Sequence, residues 1–371
     1  MPIARRLFIL TSLLLTGACV RADPQLGVVT VAKGLENPWG IAFLPDGRML
    51  VTERPGRLRL VTPDGKLGAP IDGVPKVDAR GQGGLLDVVL DPSFAANRRV
   101  YLSYSEPGTG DDTGKNGTAV ARGRLDGNRL ADVAVIFRQK DKHAGTAHFG
   151  SRLVFDRSGR LFITLGDRFA RRADAQHLGT HFGKTIRIEA NGGVPDDNPF
   201  VKTPGALPEI WSYGHRNMQG AALHPTTGEL WTHEHGPQGG DEVNVDLGGR
   251  NYGWPVITFG AEYGSGQKIG EGTSKPGIED PVTYWVPSIA PSGMAFLTSD
   301  RYPGWKGSLF VGALRGKVLV RLELDGRKVV REERLLADLD ERLRDVRQGP
   351  DGWLYLLTDN DDGRILRLTP R

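Results

Sequence analysis

Leu153–Asp167 reads LVFDRSGRLFITLGD: an apolar strand, a tight turn ending in Gly, and a second apolar strand. The phrase returns as Ile41–Arg54 (IAFLPDGRMLVTER), Val88–Tyr104, Ala221–His235 (AALHPTTGELWTHEH), Met294–Leu314 and Val346–Asp359 (VRQGPDGWLYLLTD). Start-to-start spacing runs from 47 to 73 residues. The nearly all-apolar first strand of each copy is what burial on both faces demands, and the Pro-Asp-Gly, Arg-Ser-Gly and Thr-Thr-Gly turns are hairpin signals. Radial repetition of short antiparallel sheets marks a β-propeller. The sequence therefore predicts an all-β chain, a six-bladed β-propeller of four-stranded antiparallel sheets. A third strand follows most hairpins, at Arg57–Val61, Thr118–Leu125, Thr185–Glu189, Lys317–Leu324 and Arg364–Leu368. Gly27–Ala32 (GVVTVA) precedes the first copy and is expected to pair with the last blade, since an unclosed ring would leave sheet edges bare.

Working outward, the 371 residues carry repeats almost from end to end, which predicts one domain over residues 23–371 rather than two. The 51 Gly and 24 Pro fit a turn-rich chain. The net charge of +4 is mild and the basic residues are scattered, which argues against a nucleic-acid partner. Residues 1–22 read as an export signal: Arg5 and Arg6, the apolar run Leu7–Leu15, then small residues. Two endings fit, cleavage before Asp23 or lipoprotein processing at Cys19, and Arg5-Arg6-Leu7-Phe8 loosely resembles a twin-arginine signal. A periplasmic or otherwise exported protein is expected, touching a membrane only through a lipid on Cys19. Cys19 is the sole cysteine, so the domain has no disulfide and must hold itself by its core.

In a propeller every hairpin starts from one face, so residues just before each first strand meet at one mouth. They are Gly81-Gln82-Gly83-Gly84, His148–Arg152, Gly214-His215-Arg216-Asn217, Pro287–Ser292 and Arg342-Leu343-Arg344-Asp345. The second strands return to the same mouth and bring Asp167, His235–Glu242, Arg315 and Asp359. Segments 105–117, 168–183, 191–210 and 260–290 are the expected walls of a site. His148 and Asp167 are symmetric about position 157.5, inside the Arg157-Ser158 turn, so they should lie opposite each other. A carboxylate beside an imidazole fixes its tautomer and supports it as a proton acceptor; a purely structural His–Asp hydrogen bond is the alternative. His233 and His235 make a poor transition-metal pair, while the Gly-rich loop with Asp241 and Glu242 suits either an oxygen-ligand Ca²⁺ site or a solvated turn. Arg315, Arg342 and Arg344 at the mouth suggest a ligand with several carboxylates. Gly-x-Gly-x-x-Gly, Gly-x-Ser-x-Gly and Walker A patterns are absent, against nucleotide cofactors and serine hydrolysis.

Across residues 27–370 the chain resembles the PQQ-dependent soluble aldose sugar dehydrogenases, the group that includes soluble glucose dehydrogenase. The carrying motifs are Asn37–Phe43 (NPWGIAF), Gly81–Leu86 (GQGGLL), His148–Leu153 (HFGSRL), Gly214–Asn217 (GHRN), Glu234–Pro237 (EHGP) with Asp241–Asn244 (DEVN), Asn251–Pro255 (NYGWP) and Arg342–Val346 (RLRDV). The resemblance implies pyrroloquinoline quinone (PQQ) over the channel mouth, with Ca²⁺ beneath it. It implies His148 as the base that takes the proton of the sugar's anomeric hydroxyl, with hydride passing from C1 to C5 of the quinone. Arg216 would stabilise the reduced quinone oxygen, and Asp167 would orient His148. Gln82, Arg216, Asn217, Tyr263, Leu314, Arg315, Gly316, Arg342, Arg344 and Asp345 would hold the cofactor. Gly236 and Pro237 would give carbonyls to its Ca²⁺, and Glu242 and Tyr252 match a second, structural Ca²⁺ site. Ala147 stands where the glucose dehydrogenase branch has an acidic residue, and the chain is shorter than that branch; both point to the broader aldose dehydrogenase branch. The expected partners are an aldose sugar and an unidentified electron acceptor, and the expected state a monomer or homodimer. Two rival readings are a Ca²⁺-dependent propeller lactonase and a non-catalytic binding propeller.

Overall fold

The computed structural model describes residues 26–370; the export-signal reading and Cys19 lie outside them. Six four-stranded antiparallel sheets form the described chain. Blade one is β2 (Pro38–Phe43), β3 (Met49–Glu53), β4 (Arg57–Val61) and β5 (Leu67–Pro70). Blade two is β6 (Leu85–Leu90), β7 (Arg99–Pro107), β8 (Asn116–Asp126) and β9 (Arg129–Arg138). Blade three is β10 (Leu153–Phe155), β11 (Arg160–Thr164), β12 (Lys184–Glu189) and β13 (Ile210–Tyr213). Blade four is β14 (Met218–Leu223), β15 (Leu230–Glu234), β16 (Asp241–Asp246) and β17 (Thr283–Trp285), and blade five is β18 (Pro291–Phe296), β19 (Leu309–Ala313), β20 (Leu319–Asp325) and β21 (Lys328–Leu335). Blade six joins β22 (Leu343–Gln348), β23 (Leu354–Thr358) and β24 (Gly363–Pro370) to β1 (Leu26–Leu35). The first strand thus closes the ring against the last, pairing Leu26 with Pro370 and Val28 with Leu368.

Apolar side chains from neighbouring blades interlock. Ala42, Leu50 and Leu58 meet Leu85, Val88 and Leu102 between blades one and two, and Ile41, Val51 and Val61 meet Leu357 and Ile365 across the closure. Each fully buried Leu or Ile contributes about 2 kcal/mol of transfer free energy, so the seams between blades, not the blades alone, hold the ring. Among the described residues no helix is long and apolar enough to cross a membrane.

The innermost strands depart from regular pairing at the mouth. Register shifts fall between Pro38 and Ile41 in β2, Leu85 and Val88 in β6, Met218 and Gly220 in β14, Ser292 and Met294 in β18, and Leu343 and Asp345 in β22. A bulge adds a residue without a partner and re-aims its side chain. Beneath the mouth, the buried guanidinium of Arg152 forms an ion pair with Asp345 Oδ1 at 2.9 Å and donates to the carbonyls of Gln219 (2.8 Å) and Arg344 (2.9 Å). It also lies 3.5 Å from Asp87 and 3.9 Å over the Trp39 ring. A group of blade three that touches blades one, two, four and six must sit on the propeller axis. Arg347 completes the cluster, donating to Asp87 and Asp345.

Candidate active site

The first copy quoted above builds the centre of the site. β10 has only three residues, and its ladder pairs Leu153 with Ile163, which centres the hairpin on Ser158. Simple mirroring would then set His148 against Arg168. Instead His148, Gly150 and Ser151 take φ of 53°, 64° and 86°, so the segment before β10 leaves the ladder. Two glycines permit this: a Cβ on Gly150 would lie 2.7 Å from Thr164 O, and one on Gly166 would lie 2.2 Å from His148 O. The result brings His148 Nδ1 to 2.6 Å from Asp167 Oδ1, as expected, but through a distorted approach.

Asp167 is fully buried, and its carboxylate accepts three hydrogen bonds: from His148 Nδ1, from Phe169 N at 2.8 Å and from Trp254 Nε1 at 2.7 Å. Burial acts to raise its pKa, but the His148 contact, Arg216 and the Phe169 N–H outweigh it and hold the group ionised below the usual aspartate range. The ionised carboxylate fixes the His148 proton on Nδ1 and leaves Nε2 as the proton-accepting atom. Burial first, then Arg216 and Arg168, depress the His148 pKa below 6.5 against the pull of Asp167. Gln82 Oε1 accepts from His148 N at 2.8 Å and anchors the backbone.

Arg216 joins the same cluster. Its carbonyl accepts from Asp167 N at 2.8 Å, and its NH1 donates to His235 O at 2.9 Å and Gly236 O at 2.6 Å. The guanidinium faces the Trp254 ring at 5.3 Å and the exposed Tyr263 ring at 5.9 Å. Asn217 Oδ1 accepts from Gly150 N and Gln219 Nε2, tying blade three to blade four.

Two cavities of about 330 Å³ lie near this cluster: the second is lined by Asp167 and Arg216, the first by their neighbours Gly150, Asn217 and His235, and His148 lines neither. The first is lined by the predicted Gln82, Asn217, Leu314, Arg342 and Arg344, and also by Trp39, Arg54, Leu86, Gln219 and Asp359. Trp39, Leu86, Gln219 and Arg344 all lie within the register shifts of innermost strands, so the bulges form the cavity floor. The wall is cationic, with Arg54, Arg342 and Arg344 against one carboxylate. Arg342 and Arg344 both reach Asp359 Oδ2 at 3.0 Å. Burial tends to raise the Asp359 pKa, but the two arginines hold it low. The second cavity is lined by Asp167, Phe169, Arg172, Arg216, Trp254 and Tyr263, among others.

Three expected cofactor residues lie elsewhere. The bulge in β22 sends Arg344 to the cavity and Asp345 to the axis, where its carboxylate holds Arg152 and Arg347. Arg315 and Gly316 are exposed beyond Leu314 and line neither cavity; their amides donate to Ile289 O.

The metal expectations divide similarly. Asp241 and Glu242 start strand β16 rather than occupying a loop. The Asp241 carboxylate is already committed to Gly236 N (2.9 Å), Ser288 Oγ, Ile289 N and Ala290 N. His233 and His235 each commit Nε2 to a blade-five carbonyl, Gly293 O and Pro291 O, and burial drives His233 down to about 3. They form no metal pair. Among the described residues no group of three or more His, Cys, Asp or Glu is disposed to hold a metal. Glu242 differs: it borders a small void of about 10 Å³ with Glu234, Gly236 and Tyr252, and its one side-chain hydrogen bond, from Asn244, is long at 3.5 Å. Burial and the Glu234 charge push its pKa well above the usual range. The Tyr252 hydroxyl donates to Val245 O and accepts from Leu247 N, which leaves its carbonyl as the oxygen able to meet a cation.

The propeller with this mouth can be placed among known proteins. The family model for glucose/sorbosone dehydrogenases matches residues 35–367, and the chain belongs to that family. Aldose sugar dehydrogenase YliI of Escherichia coli is 49% identical over 98% of each chain. The crystal structure of a glucose dehydrogenase is 55% identical, covers 92% of this chain and 99% of its own, and superposes with a TM-score of 0.89. The PQQ-bound aldose sugar dehydrogenase of Streptomyces coelicolor is 31% identical over 94% of this chain and 100% of its own, with a TM-score of 0.76. The fold is the expected six-bladed propeller, and the protein is a dehydrogenase-type member of it.

Proposed function

We propose that this chain oxidises the C1 hydroxyl of aldose sugars to lactones, using PQQ with Ca²⁺. One observation carries the reading: Asp167 and Arg216, which hold the buried His148, line one open cavity, while Gln82 and Asn217, which bond the His148 segment, line an arginine-walled second one. The residues fit the cofactor. The first cavity is the right size for a tricyclic acid, its wall is cationic, and Arg344 Nε is buried without a protein partner. When bound, the quinone supplies the hydride acceptor, and Ca²⁺ supplies Lewis-acid polarisation of its carbonyl. The Gly236 and Pro237 carbonyls have the hard-oxygen character Ca²⁺ takes, but two carbonyls are only part of its shell, so ligand oxygens must complete it.

The chain's own residues do the rest. His148 Nε2 takes the proton of the C1 hydroxyl, and Asp167 stabilises the imidazolium that forms. Arg216, fixed by the His235 and Gly236 carbonyls, presents positive charge where negative charge develops. Phe169 and Tyr263, exposed at 57% and 56%, offer apolar faces to a sugar in the second cavity. Glu242 and the Tyr252 carbonyl would hold a second Ca²⁺, whose charge would offset the repulsion between Glu242 and Glu234. The leader pattern in the sequence supports export.

The test is to titrate the purified apo-protein with PQQ and Ca²⁺ while following dye reduction with a panel of aldoses. Saturable, Ca²⁺-dependent reduction is expected; no PQQ uptake at micromolar concentration would remove the reading.

A further inference from the structure

Each sequence copy ends where its second strand reaches the mouth. Of those end residues, Arg54, His235, Leu314 and Asp359 line the first cavity and Asp167 the second. Arg54 is the basic member of the set, and the cofactor reading does not use it. Its backbone is fixed twice, by Arg54 N to Asn37 O and by Leu85 N to Arg54 O, both 3.1 Å. Its NH1 donates to Gly81 O, on the loop that carries Gln82. Its Nε is buried and has no protein partner. The charges around it are Asp359 and Asp361 against Arg342 and Arg344, and burial, the largest influence, draws its pKa down. A guanidinium held beside two others, with a buried N–H unpaired, is a cost to the empty protein that an anionic ligand would relieve.

We propose that Arg54 is a third carboxylate-reading arginine of the first cavity, gripping a carboxylate of the bound quinone acid from blade one while Arg342 and Arg344 act from blade six. The inference rests on the cofactor reading above and adds a specificity: the cavity selects polycarboxylates over neutral quinones of the same size. Asp359 is the one carboxylate on the cavity wall, and with Asp361 behind it two carboxylates face three arginines, which leaves charge for the ligand to complement. A guanidinium fork meets a carboxylate in two parallel bonds, which an ammonium cannot reproduce.

The experiment measures binding, not turnover. Apo wild type, Arg54→Gln, Arg54→Lys and Arg344→Gln are titrated with PQQ in the presence of Ca²⁺ by calorimetry, after thermal melts confirm folding. The titrations are repeated with the trimethyl ester of PQQ, in which the carboxylates are masked. Arg54→Gln should weaken PQQ roughly 10- to 100-fold, the range of a charge-assisted hydrogen bond, with Arg54→Lys in between. With the ester, wild type and Arg54→Gln should bind alike. Wild-type affinity in Arg54→Gln, beside a weakened Arg344→Gln, would overturn the assignment and leave the cofactor reading standing. An equal deficit toward acid and ester would also overturn it, showing that Arg54 acts only by holding the Gly81 loop. Failure of wild type to take PQQ would remove both readings together. Should Arg54→Gln not fold, Arg54→Lys against the two ligands decides alone.

Discussion

Trp254 Nε1 donates to Asp167 Oδ2 at 2.7 Å, on the opposite oxygen from the one that meets His148. The carboxylate is thereby pinned from both sides, and the same indole faces Arg216. Trp254→Phe keeps an aromatic ring and removes the N–H. It should lower kcat about 10-fold and leave the sugar KM within about twofold, because the loss concerns the alignment of His148 rather than substrate contact. Steady-state kinetics with saturating PQQ measures this, and an unchanged kcat would show that Asp167 needs no second anchor.

Removing the base separates chemistry from cofactor binding. His148→Ala should reduce turnover by about 10²- to 10⁴-fold while PQQ affinity stays at the wild-type value. Full activity in this variant would end the assignment of His148.

The pH profile carries a sign. Protonated imidazole cannot accept a proton, and burial with Arg216 and Arg168 lowers the His148 pKa from 6.5. The neutral base therefore persists into mildly acidic solution, and the acid limb of kcat/KM should fall below pH 6.5. A limb above that value contradicts the surroundings described for His148.

Two adjacent residues of β22 should behave in opposite ways. Arg344→Ala, at the cavity, should weaken PQQ binding and leave stability largely intact. Asp345→Ala leaves Arg152 and Arg347 with Asp87 as their one shared counter-charge on the axis, which should cost about 3–5 kcal/mol of stability. Chemical denaturation and PQQ titration of both variants test the split.

Calcium should stabilise the fold as well as support activity. Chelation should lower Tm by several degrees, and Glu242→Gln should melt lower than calcium-loaded wild type and respond less to chelator. Equal responses in both proteins would remove Glu242 from the second site.

How far the sequence foretold this structure depended on the physical signal at each residue. The hairpins were readable because inner strands such as Leu161–Thr164 are buried on both faces and their turns carry Gly. Outer strands were harder. β16 begins at Asp241 behind Gly239-Gly240 and looks like loop, and β17 has only three residues within the long 260–290 segment. β21 (KVVREERL) is mostly exposed and carries a run of charge, Arg331 to Arg334, in place of an apolar alternation. Counting positions paired His148 with Asp167 about a centre half a residue from the observed one at Ser158, and the positive-φ kink before β10 makes up the difference. No such count reaches Trp254, 87 residues from Asp167 in the chain. Strand alternation breaks at bulges: the resemblance sets Asp345 beside Arg344 in one motif, yet the β22 bulge parts them, and the bulges that carry Trp39, Leu86 and Gln219 to the cavity floor have no sequence signal. Arg54 was within reach, since the rule that gathered Asp167 and Asp359 applies equally to the end of the first copy.

The guanidinium of Arg152 on the axis has a kinetic meaning. It stacks on Trp39, a floor residue of the first cavity, and its polar contacts reach blades two, four and six directly below. On the proposed function, a guanidinium held on the axis would bar the route through the channel, and sugar and electron acceptor would both approach from the mouth. Competition between the two at high concentration in steady-state kinetics is then the expected signature, set by a charge that touches neither reactant.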